Sequence, residues 1–167
     1  MYTQQCNNVL FNLLDSHDTD RLIHRIPDLD VFYQQLAVLF TMPGSPCIYY
    51  GTEIAMEGGY DPDCRRCMPW DELDTKENAE RIREIRKLIQ LRKEEDACKS
   101  LYFHFPNSYE EERCVEYIKL TEQGEKIEIV LNCTNAPVTV EEKGEILFSR
   151  KYGKGSLEKN GTLIRRI

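Results

Sequence analysis

VLFNLLDSHDTD, residues 9–20, is a short, mostly apolar run that breaks off in a polar cluster. A run of this length, closed by loop-forming residues, reads as a buried strand that delivers the chain into a loop at its carboxyl end. Working outward, residues 31–42 (VFYQQLAVLFTM) are apolar almost all round and stop at Pro43-Gly44, which predicts a buried helix with a sharp terminator. Residues 47–50 (CIYY), held between Pro46 and Gly51, predict a second short strand. A loop rich in Gly, Asp and Cys spans residues 57–70, after which Asp74 or Thr75 can cap a helix. That helix carries Ala79, Ile82, Ile85, Leu88 and Ile89 on one face. The order strand, helix, strand, loop, helix is a βαβα unit and predicts parallel strands. Two parallel strands cannot cover their own faces and edges, so the unit reads as a piece of something larger.

Beyond residue 97 the pattern and the charge both change. Residues 1–97 carry 11 Lys and Arg against 18 Asp and Glu, whereas residues 98–167 carry 11 of each and no Asp. The whole imbalance of −7 therefore lies in the first part, where the chemistry is to be sought. Residues 100–105, 114–120 and 126–132 are short β-rich runs, the latter two alternating, with turns marked at Asn107-Ser108 and Gly124. Residues 138–140, 146–148 and 163–167 continue the series. Together they predict a small antiparallel sandwich or open barrel.

An acidic chain with a pI near 5.1 repels phosphate backbones, which argues against nucleic acid as a partner. No apolar run approaches the roughly 20 residues needed to cross a membrane. Seven cysteines at irregular spacing do not form a complete disulfide framework, and a reducing, cytoplasmic setting is expected.

Three groups of residues suggest chemistry. His17-Asp18 stands just past the first strand, where parallel α/β folds display reactive side chains. A carboxylate there can stabilise a developing cation and an imidazole can donate to a sugar hydroxyl; alternatively, Asp18 only caps the turn or pairs with Arg21. Cys64-Arg-Arg-Cys67 has the spacing of a zinc knuckle but lacks a second close pair, so thiols packed under Trp70 are the expected reading, with no metal and no cofactor. Asp61, Asp63, Arg65, Arg66 and Asp71 crowd the same loop. Fixed carboxylate–guanidinium pairs bind neutral polyols well, because each hydroxyl donates to one and accepts from the other. Tyr49, Tyr50, Tyr60 and Trp70 are available to stack on sugar faces. The same pairs can equally serve only to lock the loop.

In combination these stretches resemble the α-amylase superfamily of glycoside hydrolases, family thirteen. Residues 11–18 (FNLLDSHD) look like its fourth signature region at the end of barrel strand seven. Residues 44–53 (GSPCIYYGTE) look like strand eight and its exit turn, and residues 61–71 (DPDCRRCMPWD) look like the loop before the final barrel helix. The likeness covers roughly residues 8–95 and is nearest to the neopullulanase and cyclomaltodextrinase group. It implies an α/β piece, the last βαβα portion of a (β/α)8 barrel over residues 1–97, followed by an antiparallel all-β C-terminal domain, a sandwich, over residues 98–167.

The resemblance further implies action on α-1,4-linked glucans or maltooligosaccharides by a retaining mechanism. Asp18 matches the carboxylate that steadies the oxocarbenium-like transition state, and His17 the histidine that hydrogen-bonds the reacting sugar. Asp61 and Arg65 match a pair contacting glucose units on the non-reducing side. Thr52 stands where many relatives have Asp, and no role is assigned to it. The family's nucleophile and acid/base lie on earlier strands, so the chain reads as a C-terminal fragment, inactive alone, that self-associates through the barrel surface left open at residues 9–14 and in parts of 31–42. Two other readings follow from the same residues: a non-catalytic carbohydrate-binding or interaction module, and a metal phosphohydrolase built on His17-Asp18.

Overall fold

The computed structural model describes residues 3, 6, 8–106 and 114–167. The first part holds β1 (Phe11–Leu13), α1 (Leu22–Arg25), α2 (Leu29–Thr41), β2 (Ser45–Cys47), α3 (Lys76–Glu94) and α4 (Asp96–Lys99). The second part holds β3 (Tyr102–His104), β4 (Cys114–Leu120), β5 (Lys126–Asn132), β6 (Val138–Thr139), β7 (Glu145–Gly153) and β8 (Ser156–Arg166). The turn expected at Asn107 and Ser108 lies outside the described residues.

β1 and β2 pair in parallel, Phe11 opposite Ser45 and Leu13 opposite Cys47, because α2 carries the chain back to the starting end between them. The ladder is shorter than the sequence suggests. β1 supplies partners only through Leu13, so residues 48–50 leave it and turn their tyrosines elsewhere. Gly44 enters β2 at φ +92°, and a Cβ there would stand 2.4 Å from the Leu10 carbonyl oxygen, so the close approach of the strands needs glycine.

Asp28 caps α2 by accepting from the backbone N–H groups of Asp30 and Val31, and Thr75 caps α3 by accepting from Asn78. Of α2, expected to stand open in parts, Val31, Gln35 and Val38 are half-buried and the core-facing side is covered. Phe32, Leu36, Ala37, Leu39 and Phe40 are all buried, because the helix lies between β8 and α3. The open element is β1. Read as a buried strand, it leaves Phe11 66% exposed, with Val9 just before it 74% exposed, since no third strand among the described residues flanks it.

Of the two forms expected for the second part, it takes the open one, a single curled antiparallel sheet, and not the sandwich. All six strands belong to one antiparallel sheet in which β8 is shared: its C-terminal half pairs with β5, its start with β6, and nearly its whole length with β7. Period-two alternation then gives the sheet two apolar faces. Ile127, Ile129, Leu131, Phe148 and Ile164 join the core of α2 and α3, while Val130, Leu157 and Leu163 meet Val140 on the other face. The residue 138–140 segment covers that face in place of a second sheet. Beside it the buried Arg165 guanidinium donates to the buried Glu128 carboxylate. One core thus runs through both parts, and Gln34 of α2 ties them further by donating to the carbonyls of Asn132 and Gly161, each at 3.0 Å.

Candidate functional site

The end of β1 and the loop after β2 meet at one exposed cluster. Ser16 and Thr19 shape the turn after β1. The Ser16 N–H donates to Thr19 Oγ1 at 3.0 Å, and the Asp18 N–H donates to Ser16 Oγ at 3.1 Å. This turn sets His17 and Asp18 side by side, His17 Nε2 3.2 Å from Asp18 Oδ2. Arg65 reaches them from a 3-10 turn spanning Asp63–Arg65. Its Nε donates to the His17 carbonyl at 3.0 Å and lies 2.8 Å from Asp61 Oδ1 as an ion pair, while Nη2 lies 3.4 Å from Asp18 Oδ1. Cys64 adds a thiol donor to the same carbonyl at 3.2 Å. All four residues singled out in the sequence, His17, Asp18, Asp61 and Arg65, therefore lie within one network whose outer side faces solvent.

The network rests on a buried base that sequence reasoning missed. Arg21, read as a possible partner of Asp18, is fully buried and turned away from it. Its Nε donates to the Cys64 carbonyl at 3.0 Å, Nη1 donates to the Tyr50 carbonyl, and the guanidinium lies 4.6 Å from the centroids of both the Tyr49 and Tyr50 rings. Its own N–H donates to the Gly58 carbonyl at 2.9 Å. Arg21 thus fastens the His17–Asp18 turn to the exit of β2 and to the Arg65 loop. Burial, with the hydrogen bond that the Tyr49 hydroxyl donates to Tyr50 as the next cause, pushes the Tyr49 phenol up to about 12.

Asp15 is the second missed residue. It stands inside the polar run but is buried, accepting from the Leu22 N–H at 2.9 Å and from Thr52 Oγ1 at 2.9 and 3.0 Å. Thr52 therefore has a place, pinning the strand-exit turn to the end of β1. The sequence signals available were an Arg three residues after Asp18 and a Tyr-Tyr pair able to sandwich it.

The loop's remaining charges lock it. Arg66 pairs with Asp63 at 2.6 Å, and Asp63 also accepts from the Gly59 N–H at 2.7 Å. That backbone donor, then Arg66, holds the Asp63 carboxyl below the usual carboxylate range. Cys64 is buried and Cys67 exposed, while Trp70 is 74% and Tyr60 85% exposed, so the expected packing of the thiols under Trp70 is not observed. All seven cysteines are free. Among the described residues no three His, Cys, Asp or Glu side chains converge as metal ligands, and Arg65 already bridges the carboxylates of Asp18 and Asp61. No described helix is long and apolar enough to cross a membrane.

The cluster offers a carboxylate, an imidazole and a guanidinium–carboxylate pair on an open face. Such a set donates to and accepts from hydroxyls and places negative charge beside a developing cation.

Known proteins match this chain. A family model described as "Alpha amylase, catalytic domain" matches residues 1–107. A cyclomaltodextrinase from Bacillus sp is 40% identical over 141 residues, 83% of this chain and 25% of that protein. An intracellular maltogenic amylase from Bacillus subtilis is 49% identical over 94 residues, 56% of this chain and 16% of that protein. A crystal structure of maltogenic amylase from S. marinus superposes with a TM-score of 0.80 at 30% identity, covering 93% of this chain and 22% of that one. The chain spans about a quarter of the length of such relatives.

Proposed function

From the premise that the chain belongs to the α-amylase catalytic-domain family, we propose that it is the C-terminal part of an enzyme cleaving or transferring α-1,4-linked glucose chains. The observation that carries this reading is the meeting of His17, Asp18, Asp61 and Arg65 in one solvent-facing network at the carboxyl end of β1. Residues 1–97 then form the end of a (β/α)8 barrel, and residues 98–167 the β domain that follows it.

In the assembled site, Asp18 stabilises the positive charge that develops on the sugar ring as the glycosidic bond breaks. It is held for this by the Ser16–Thr19 turn on one side and by Arg65 on the other. His17 donates to a hydroxyl of the reacting sugar. Asp61 and Arg65 hold a glucose unit further toward the non-reducing end, Asp61 accepting and Arg65 donating. Retaining hydrolysis also needs a nucleophile and an acid/base. In this reading neither is among these 167 residues, so the chain by itself does not hydrolyse glycosides. A cytoplasmic setting suits its seven free thiols. The open side of β1 is the surface through which the chain alone associates with a second copy.

Joining the chain to the preceding part of the Bacillus cyclomaltodextrinase tests the reading. The chimera is expected to hydrolyse maltooligosaccharides and the 167-residue chain to be inert. A folded but inactive chimera contradicts the proposal.

A further inference from the structure

A second polar cleft, remote in sequence from the His17–Asp18 turn, opens where the two parts of the chain meet. It has a volume of about 490 Å³, within the roughly 300–1,000 Å³ of small-ligand sites. One wall is the α3 face that carries Glu77, Glu80, Arg81 and Glu84; the other is the β7 stretch Ser149, Arg150 and Lys151, with Tyr33 of α2 between them.

The lining alternates in sign. Arg150 lies 3.0 Å from Asp30, 3.7 Å from Glu84 and 4.1 Å from the Tyr33 ring centroid, and Lys151 lies 2.5 Å from Asp30. Glu77 pairs with Arg81 and Glu84 with Lys87, each at 2.6 Å. Four cationic side chains line the cleft against three carboxylates, and Asp30 behind the lining, paired with Arg150 and Lys151, offsets the difference, so neither an anion nor a cation finds an excess of the opposite charge. A neutral ligand rich in hydroxyls meets donors and acceptors side by side.

Capacity remains unused in this cleft. Glu80 and the Ser149 hydroxyl have no hydrogen-bond or ion-pair partner among the described residues. We propose that this cleft is a second, non-catalytic site for a neutral oligosaccharide, which bridges α3 to β7. That the sugar is an α-glucan rests on the function proposed above; that the ligand is neutral and polyhydroxylated rests on the cleft alone. Glu80 accepts from one hydroxyl, and Ser149 donates to another.

The test is a titration of the isotope-labelled full chain with maltotriose, following backbone amide shifts. Saturable shifts are expected at residues 149–151 and 80–84, and Glu80→Gln, at an exposed position without a partner to lose, should weaken them about tenfold, as for one charge-assisted hydrogen bond. Asp61→Asn should leave them unchanged, which separates this site from the His17–Asp18 cluster. Shifts confined to that cluster overturn the inference while leaving the proposed function standing. Unchanged affinity in folded Glu80→Gln overturns it too, as does inorganic phosphate moving the same amides in place of maltotriose.

Discussion

Replacing Arg21 with alanine removes the buried base of the site at a single position. The side chain is fully buried and has no carboxylate partner among the described residues; two carbonyls and two tyrosine faces hold its charge. Truncation leaves the carbonyls of Cys64 and Tyr50 without their donors, at about 1–3 kcal/mol each, and gives up cation–π contact of about 1 kcal/mol. Relief of the buried cation's desolvation offsets part of this, so a net loss of about 3 kcal/mol is expected. In a chain of this size that lowers the thermal midpoint by about 6–12 °C. Arg21→Lys should recover little, because a point charge on a flexible stem does not span both carbonyls as the planar fork does. Urea and thermal unfolding followed by circular dichroism measure both variants. A loss below about 1 kcal/mol in Arg21→Ala, or full stability in Arg21→Lys, would refute the reasoning.

Two further outcomes follow from burial and exposure elsewhere in the fold. Burial brings the Lys119 ammonium down to about 8, against 10.5 as its ordinary value, so the unfolded chain binds more protons between those limits and stability should rise with pH across them. Burial pushes the Cys98 thiol up to about 12 from 9.0, which opposes the gain above pH 9, so the difference between wild type and Lys119→Met is the quantity to measure; a flat difference from pH 8 to 10 would contradict the assignment. Phe11→Lys, on the open side of β1, should shift the isolated chain toward monomer in analytical ultracentrifugation without loss of secondary structure. A wild-type chain that is monomeric at high concentration would remove that surface from the account.

Much of the first part was legible because its signals are local. Pro43-Gly44 ends α2 within a residue of the expected place, and Thr75 caps α3. The parallel pairing of β1 with β2 follows from strand–helix–strand order alone. The cluster was legible for another reason: His17, Asp18, Asp61 and Arg65 each stand in a recognisable stretch, although 43 residues separate Asp18 from Asp61.

What escaped depends on tertiary packing. Arg21 and Asp15 are charged residues in a polar run, and nothing local distinguishes a buried one from a solvated one. Arg21 is inside because Tyr49 and Tyr50 close over it. The single sheet of the second part escaped because β8 serves β5 with one half and β6 with the other, a sharing that alternation within each strand does not encode. The open β1 has the composition of a buried strand, and its exposure reflects the neighbour strands it has in this chain.

The most direct test of the central claim, that Asp18 acts on a developing sugar cation, is kcat/KM for maltooligosaccharide hydrolysis by the cyclomaltodextrinase chimera, with and without Asp18→Asn. Because Asp18 is a solvent-facing residue of the turn, the substitution should leave the unfolding midpoint nearly unchanged. A fall in kcat/KM of at least about 10²–10³-fold is expected, the order seen when a preorganised electrostatic group is removed. Activity within a few-fold of the unsubstituted chimera would contradict it.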